Sequence, residues 1–193
     1  MTDYRTHMKE YIDTEIRILQ SLNLDELNAA ANAVTDCRKR GGTVYTIGNG
    51  GSAATASHMA VDLGKGANEK PGPEGNFFRV ECLADNVPTI TAIANDISYD
   101  DIFVFQLERK LKPGDLLIAI SGSGNSPNIV KAAEYAGSIG VPVVGITGYD
   151  GGKLGRMCDF RMHCPVNDMQ ISEDIHMMFD HMLMRVFCLC GKE

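Results

Sequence analysis

Apolar residues along this chain keep a helical rhythm first and then alternate between helical and extended runs. Tyr4, Met8, Tyr11, Ile12, Ile16 and Leu19 recur every three or four positions. Leu24, Leu27, Ala31, Val34 and Cys37 carry the same period until Gly41 and Gly42 end it. The spacing predicts helix over the first forty residues, beginning with one long amphipathic helix. Beyond it, strands are expected at 43–47, 77–81, 115–120, 142–147 and 159–164. Helices are expected at 52–64, within 88–111, and at 127–139, 152–157 and 171–190. Strands separated by helix-sized segments cannot pair as hairpins, so the pattern predicts an α/β fold, a five-stranded parallel sheet with helices on both faces.

One tract of any length lacks a period. Residues 64–76 hold four glycines and two prolines among polar residues, which suits either a mobile flap near a site or a solvated connection. No repeat at a solenoid period is present.

Composition narrows the function classes. A chain of 193 residues with 44% apolar and 22% charged content can bury one substantial core, so residues 1–193 are expected to form a single domain. The net charge is -7, and the longest basic run is Arg38-Lys39-Arg40. That balance argues against general binding to nucleic acid or to an anionic membrane. The amino-terminal residues show no apolar signal core and no stretch reaches the length of a membrane span, so a cytoplasmic protein is expected. Cys37, Cys82, Cys158, Cys164, Cys188 and Cys190 show no CxxC spacing and several sit in apolar runs; they read as buried thiols.

Two loops carry the candidate chemistry. Gly48-Asn49-Gly50-Gly51-Ser52 and Ser121-Gly122-Ser123-Gly124-Asn125-Ser126 each follow an expected strand and each open an expected helix. Backbone N–H groups, hydroxyls and a helix amino terminus then surround one small volume, which suits a phosphate. In the second loop Ser121, Ser123 and Ser126 offer three hydroxyls, with Pro127 presetting the first helical turn and Ser126 as its cap. The first loop also satisfies G-x-G-x-x-[GA], but Glu69 falls in the polar tract and Glu81 is too far along to hold a dinucleotide's ribose. No Gly-Lys-Ser/Thr follows either glycine run, which excludes a Walker loop.

Acid–base groups cluster on two expected helices. His58 and Asp62 are four apart and share a face, a spacing for common metal ligation or an acid/base pair. The last helix carries Glu173, Asp174, His176, Asp180 and His181 beside the apolar stripe Ile175, Met178, Phe179 and Met182. At 100° per residue Glu173 and Asp180 lie about 20° apart, with His176 about 60° to one side and His181 about 80° to the other. Spacing alone does not choose between the histidines.

Ile47 to Ser52, Ala94-Asn95-Asp96, Ile120 to Ser126 and Gly145-Ile146-Thr147-Gly148, in this order and at these separations, resemble the sugar isomerase (SIS) domain family. Within that family the chain is similar to the phosphoheptose isomerases, over nearly its whole length. The resemblance implies a flavodoxin-like five-stranded sheet and a homotetramer with active sites shared between subunits. Residues 1–40 would serve as a helical extension used in oligomerisation. It also implies an aldose–ketose isomerase that converts sedoheptulose 7-phosphate to a heptose 7-phosphate through an enediol.

Carried over by motif, Asn49, Gly50, Gly51 and Ser52 approach the sugar phosphate, Asn95 and Asp96 its hydroxyls, and Ser121, Gly122, Ser123 and Ser126 the phosphate. The family's zinc set falls on His58, Asp62, Glu173 and His181, with Asp62, Glu173 and His181 as the proton-moving residues. Two positions depart from the family: Asp62 stands where it has Glu, and Glu173 where it has Gln. The shorter side chain withdraws its carboxylate by about 1.5 Å. Either Glu173 is then the base with Asp62 only a ligand, or a related phosphosugar is the substrate. The competing function is a non-catalytic SIS module that binds a phosphosugar or a protein partner such as a replication initiator.

Overall fold

The computed structural model describes residues 2–190, and the side chain of Cys190 lies outside that description. In chain order the elements are α1 (Arg5–Gln20), α2 (Leu24–Lys39), β1 (Thr43–Gly48), α3 (Gly51–Gly64), β2 (Arg79–Cys82), α4 (Val87–Asp96), α5 (Val104–Lys110) and β3 (Leu116–Ser121). There follow α6 (Pro127–Ser138), β4 (Val143–Thr147), α7 (Gly152–Met157), β5 (Phe160–His163) and α8 (Met169–Cys190), with short 3-10 turns at Gly66–Asn68 and Tyr99–Asp101.

The strands form one parallel sheet in the order β2-β1-β3-β4-β5, with Thr43 opposite Arg79, Val44 opposite Leu116, Leu117 opposite Val143 and Val144 opposite Phe160. Alternate strand residues feed two cores. Val44, Leu116, Ile118, Ile120, Val144 and Ile146 pack under α2, α3 and α8. Tyr45, Ile47, Leu117, Ala119 and Val143 pack under α5, α6 and α7. Every residue of β3 is buried, as expected of a strand covered on both faces.

The first forty residues are two helices rather than one long one. The apolar period runs on through Leu19, Leu22 and Leu24, but Asn23 is extended and its Oδ1 accepts from the N–H groups of Asp25 and Glu26 at 3.1 and 3.3 Å. That cap starts a second helix with its own direction. Ala30, Val34 and Cys37 of α2 belong to the core, whereas Ile18 alone is buried on α1.

The tract 64–76 is not a flap over the loops. It leaves the far end of α3 and packs at the amino edge of the sheet, where Asn76 Nδ2 donates to the Lys39 carbonyl at 3.0 Å and Asn68 pairs with the backbone of Phe78. A connection from helix to parallel strand must lie at that edge, opposite the strand ends that bear the two glycine loops. The solvated-connection reading describes it. With Met184, Phe187 and Cys188 the tract lines a cavity of about 360 Å³.

Candidate active site

Both glycine loops open where β1 and β3 lie side by side, the point at which the chain order switches direction and open parallel sheets leave a crevice. Gly48 admits no side chain, since a Cβ there would lie 2.3 Å from the Ser52 carbonyl oxygen, and Gly50 takes φ +53° to turn the chain into α3. Ser121 closes β3, and its Oγ is 3.3 Å from that of Ser126. Ser126 occupies the cap position of α6, but its hydroxyl makes no capping bond. This corrects the expectation from sequence: Pro127 and the Ser126 carbonyl, which accepts from Ile129 and Val130, start the helix, and the hydroxyl turns to Ser121 instead. Ser123 Oγ accepts from the Asn125 N–H at 3.2 Å and so shapes its own turn.

Asn49 ties the two loops together. Its Nδ2 donates to Asn128 Oδ1 at 2.8 Å, Asn128 Nδ2 donates back at 2.9 Å, and the Tyr99 hydroxyl donates to Asn49 Oδ1 at 3.0 Å. Asn95 and Asp96 end α4 as exposed residues whose side chains bond each other at 2.7 Å.

The amino end of α8 lies beside both loops. Met169 sulfur stands over Gly122, Ser172 over Gly148, and the Glu173 carboxylate over Gly51, where a Cβ would meet its Oε2 at 2.5 Å. A carboxylate against the first turn of α3 is favoured by the unpaired N–H groups there.

Farther along the same seam, His58, Asp62, Asp180 and His181 come together, with one possible ligand atom from each lying within 4.8 Å of the others. His58 Nε2 is 3.3 Å from His181 Nε2 and 3.6 Å from Asp62 Oδ2. Gly51 and His58 are seven apart on α3, as are Glu173 and Asp180 on α8, so each pair repeats on one face after two turns. The two helices run in the same direction, which matches the pairs in register.

Of the residues expected to share a metal, the structure therefore gathers His58, Asp62 and His181. It leaves Glu173 about 10 Å of helix rise before Asp180. Asp180 lies with those three instead. It is fully buried, neither oxygen has a hydrogen-bond partner, and burial reinforced by the charge of Asp62 pushes its carboxyl up to about 7 against the pull of His181. The signal in the sequence was an ionisable residue next to Phe179 within the apolar stripe, two turns after Glu173.

The two histidines of α8 part company. His181 joins the cluster, whereas His176 is fully buried beside Phe179 with both ring nitrogens unpaired, and burial brings its pKa down to about 4.

The donor set fits a divalent ion. Tetrahedral zinc with bonds of about 2.0–2.1 Å has ligand edges of about 3.3–3.4 Å, the scale of the two close spacings around His58 Nε2.

Residues 10–148 match the family model described as the SIS domain. The chain belongs to the SIS domain family. Among its relatives, the phosphoheptose isomerase of Aliarcobacter butzleri is 34% identical over 93% of this chain and 94% of its own length. That of Rhodospirillum rubrum is 40% identical over 80% of each. The solved phosphoheptose isomerase of Neisseria gonorrhoeae superposes with a TM-score of 0.87 at 26% identity, covering 96% of this chain and 98% of the other. The α/β fold of this SIS domain is thus that of the phosphoheptose isomerases along nearly its whole length.

Proposed function

We propose that this chain is an aldose–ketose isomerase that converts sedoheptulose 7-phosphate to a heptose 7-phosphate through an enediol. The observation that carries the reading is the alignment along one seam of the Ser121 and Ser126 hydroxyls, the Glu173 carboxylate and the His58–His181 pair. The names of its relatives, which match over most of the chain, point to the same substrate.

The phosphate rests on Ser52, Ser121, Ser123 and Ser126 and on the amides of the two loops, as a dianion stabilised by N–H groups and helix ends. Asn49, Gly50, Gly51 and Gly122 let backbone approach the ligand, and Asn95 and Asp96, exposed at the end of α4, bind sugar hydroxyls. From Gly51 to His58 the seam is about 10 Å long, room for a sugar chain far longer than a triose.

Isomerisation moves a carbon-bound proton from C1 to C2 and a hydroxyl proton from O1 to O2. Asp62 or Glu173 is the base that takes and returns the first. Asp62 and His181 stand at the oxygen end, holding the carbonyl and hydroxyl groups in place for the second. Zinc, or another divalent ion, held by His58, Asp62 and His181 would polarise the carbonyl.

His58 and His181 are exposed on a single chain, and α1 carries an uncovered apolar stripe. Both features support a homotetramer with its sites at subunit interfaces. Among the described residues no helix is long and apolar enough to cross a membrane, and a cytoplasmic location accompanies a doubly charged substrate that bilayers exclude.

The test is incubation with sedoheptulose 7-phosphate in deuterated water, with and without zinc. The expected result is an aldose product bearing solvent deuterium on carbon. Neither product nor exchange across a panel of ketose phosphates would overturn the reading in favour of a binding module.

A further inference from the structure

We propose that Asp180 is the fourth protein ligand of the divalent ion, so that the seam holds a His2Asp2 site within one subunit and Glu173 stays free of it. The inference rests on the isomerase reading for what the ion is for, though not for whether it binds.

Four features of the structure lead there. Asp180 is fully buried, yet both of its carboxylate oxygens lack any hydrogen-bond partner. A buried carboxylate left in that state is costly unless a cation or a donor meets it. One ligand atom each from His58, Asp62, Asp180 and His181 falls within 4.8 Å of all the others, and Nε2 to Nε2 and Nε2 to Oδ2 spacings of 3.3 and 3.6 Å approach the edges of a tetrahedron around a small ion. Two carboxylates packed into that volume repel each other without a positive charge between them. Two neutral imidazoles and two carboxylates around a divalent cation leave no net charge, the balance a partly buried site needs. Finally, the Glu173 carboxylate is already placed against Gly51 at the other end of the seam.

The experiment uses the full-length protein, stripped with a chelator and titrated with zinc by calorimetry in the absence of any sugar. A cobalt titration followed by visible absorption serves as a second readout. Asp180→Asn is expected to weaken zinc at least about tenfold and to reduce the intense absorption of four-coordinate cobalt. Glu173→Gln is expected to bind zinc within about twofold of the parent.

Asp180→Leu keeps the test decisive if the asparagine variant folds poorly. In the metal-free protein the leucine should raise Tm, because it removes an uncompensated buried charge, and it should abolish the rise in Tm that zinc gives the parent. Equal zinc affinity in parent and Asp180→Asn, or a loss in Glu173→Gln as large as that in Asp180→Asn, would overturn the assignment. So would a parent that binds no zinc. Each of these results leaves solvent exchange into sedoheptulose 7-phosphate to be judged separately, so the two readings fail independently.

Discussion

The side-chain amides of Asn49 and Asn128 bond each other in both directions, at 2.8 and 2.9 Å, across 79 residues of sequence. Asn128 is almost wholly buried in the first turn of α6, so the pair fixes the first glycine loop against the helix that the serine loop opens. The contact bridges the two loops on which the proposed phosphate site depends.

Asn128→Ala should therefore loosen the site without touching a reacting group. Losing both bonds, with the Asn49 amide left half paired, should cost about 1–3 kcal/mol, read as a lower Tm. KM for the sugar phosphate should rise while kcat falls less. A variant with parental KM would show that the loops are spaced by something else.

Gly51 and Glu173 make a second pair with an unusual consequence. A methyl at residue 51 would meet only the tip of a flexible glutamate, so Gly51→Ala should fold as stably as the parent while pushing the carboxylate aside. Turnover should drop in this variant and in Glu173→Gln alike, by about 10²–10⁴ in the latter if Glu173 is the base. Deuterium exchange into the substrate's carbon should disappear with it. Full exchange in Glu173→Gln would pass the role to Asp62.

Much of this arrangement was legible in the sequence, and the failures have physical causes. Strands and glycine loops announce themselves locally, through apolar runs bounded by residues that only turns need, and all five strands lie within two residues of their expected bounds. The break between α1 and α2 did not, because Leu22 sustains the apolar period while a single asparagine cap redirects the chain. His58, Asp62 and His181 were found by spacing and resemblance. Asp180 shares a helix face with Glu173 in the sequence, but that spacing assigns it no partner, because its neighbours His58 and Asp62 lie on another helix. Asn128 and Tyr99 support Asn49 from 79 and 50 residues away, and no periodicity reports such a contact.

The Ser121 and Ser126 hydroxyls are 3.3 Å apart and neither caps a helix. Replacing both by alanine should leave the unfolding free energy within about 1 kcal/mol of the parent's, yet weaken inorganic phosphate as a competitive inhibitor at least about tenfold. Unchanged inhibition by phosphate would mean that the anion sits elsewhere.

Tyr4, Met8, Ile12 and Ile16 are four apart along α1 and exposed, while the helix is tied to α8 by a hydrogen bond from the Tyr11 hydroxyl to Asp174. A stripe of that kind on a docked helix is suited to meeting another subunit. Ile12→Asp combined with Ile16→Asp should lower the assembly mass measured by light scattering and leave the helical circular dichroism intact. A tetramer that survives the double change would place the interface on another surface.

His176 makes stability depend on pH in a calculable sense. In the folded protein it stays neutral down to about 4, whereas an unfolded histidine takes up a proton near 6.5, so between those values the unfolded chain binds more protons. Stability from this group is complete above about pH 6.5 and is lost as pH falls toward 4, by up to about 3 kcal/mol. Asp180 acts in the opposite sense: its carboxyl is pushed up to about 7, so it costs stability as pH rises from the ordinary carboxylate range toward 7. A raw pH profile of the parent mixes the two. Comparing the parent with His176→Leu, both stripped of metal, isolates the first, because Asp180 is common to both. The stability of the leucine variant relative to the parent should increase as pH is lowered from 6.5 to 4.5, measured by urea unfolding. A constant difference across that range would mean that the imidazole finds a partner for its proton inside the fold.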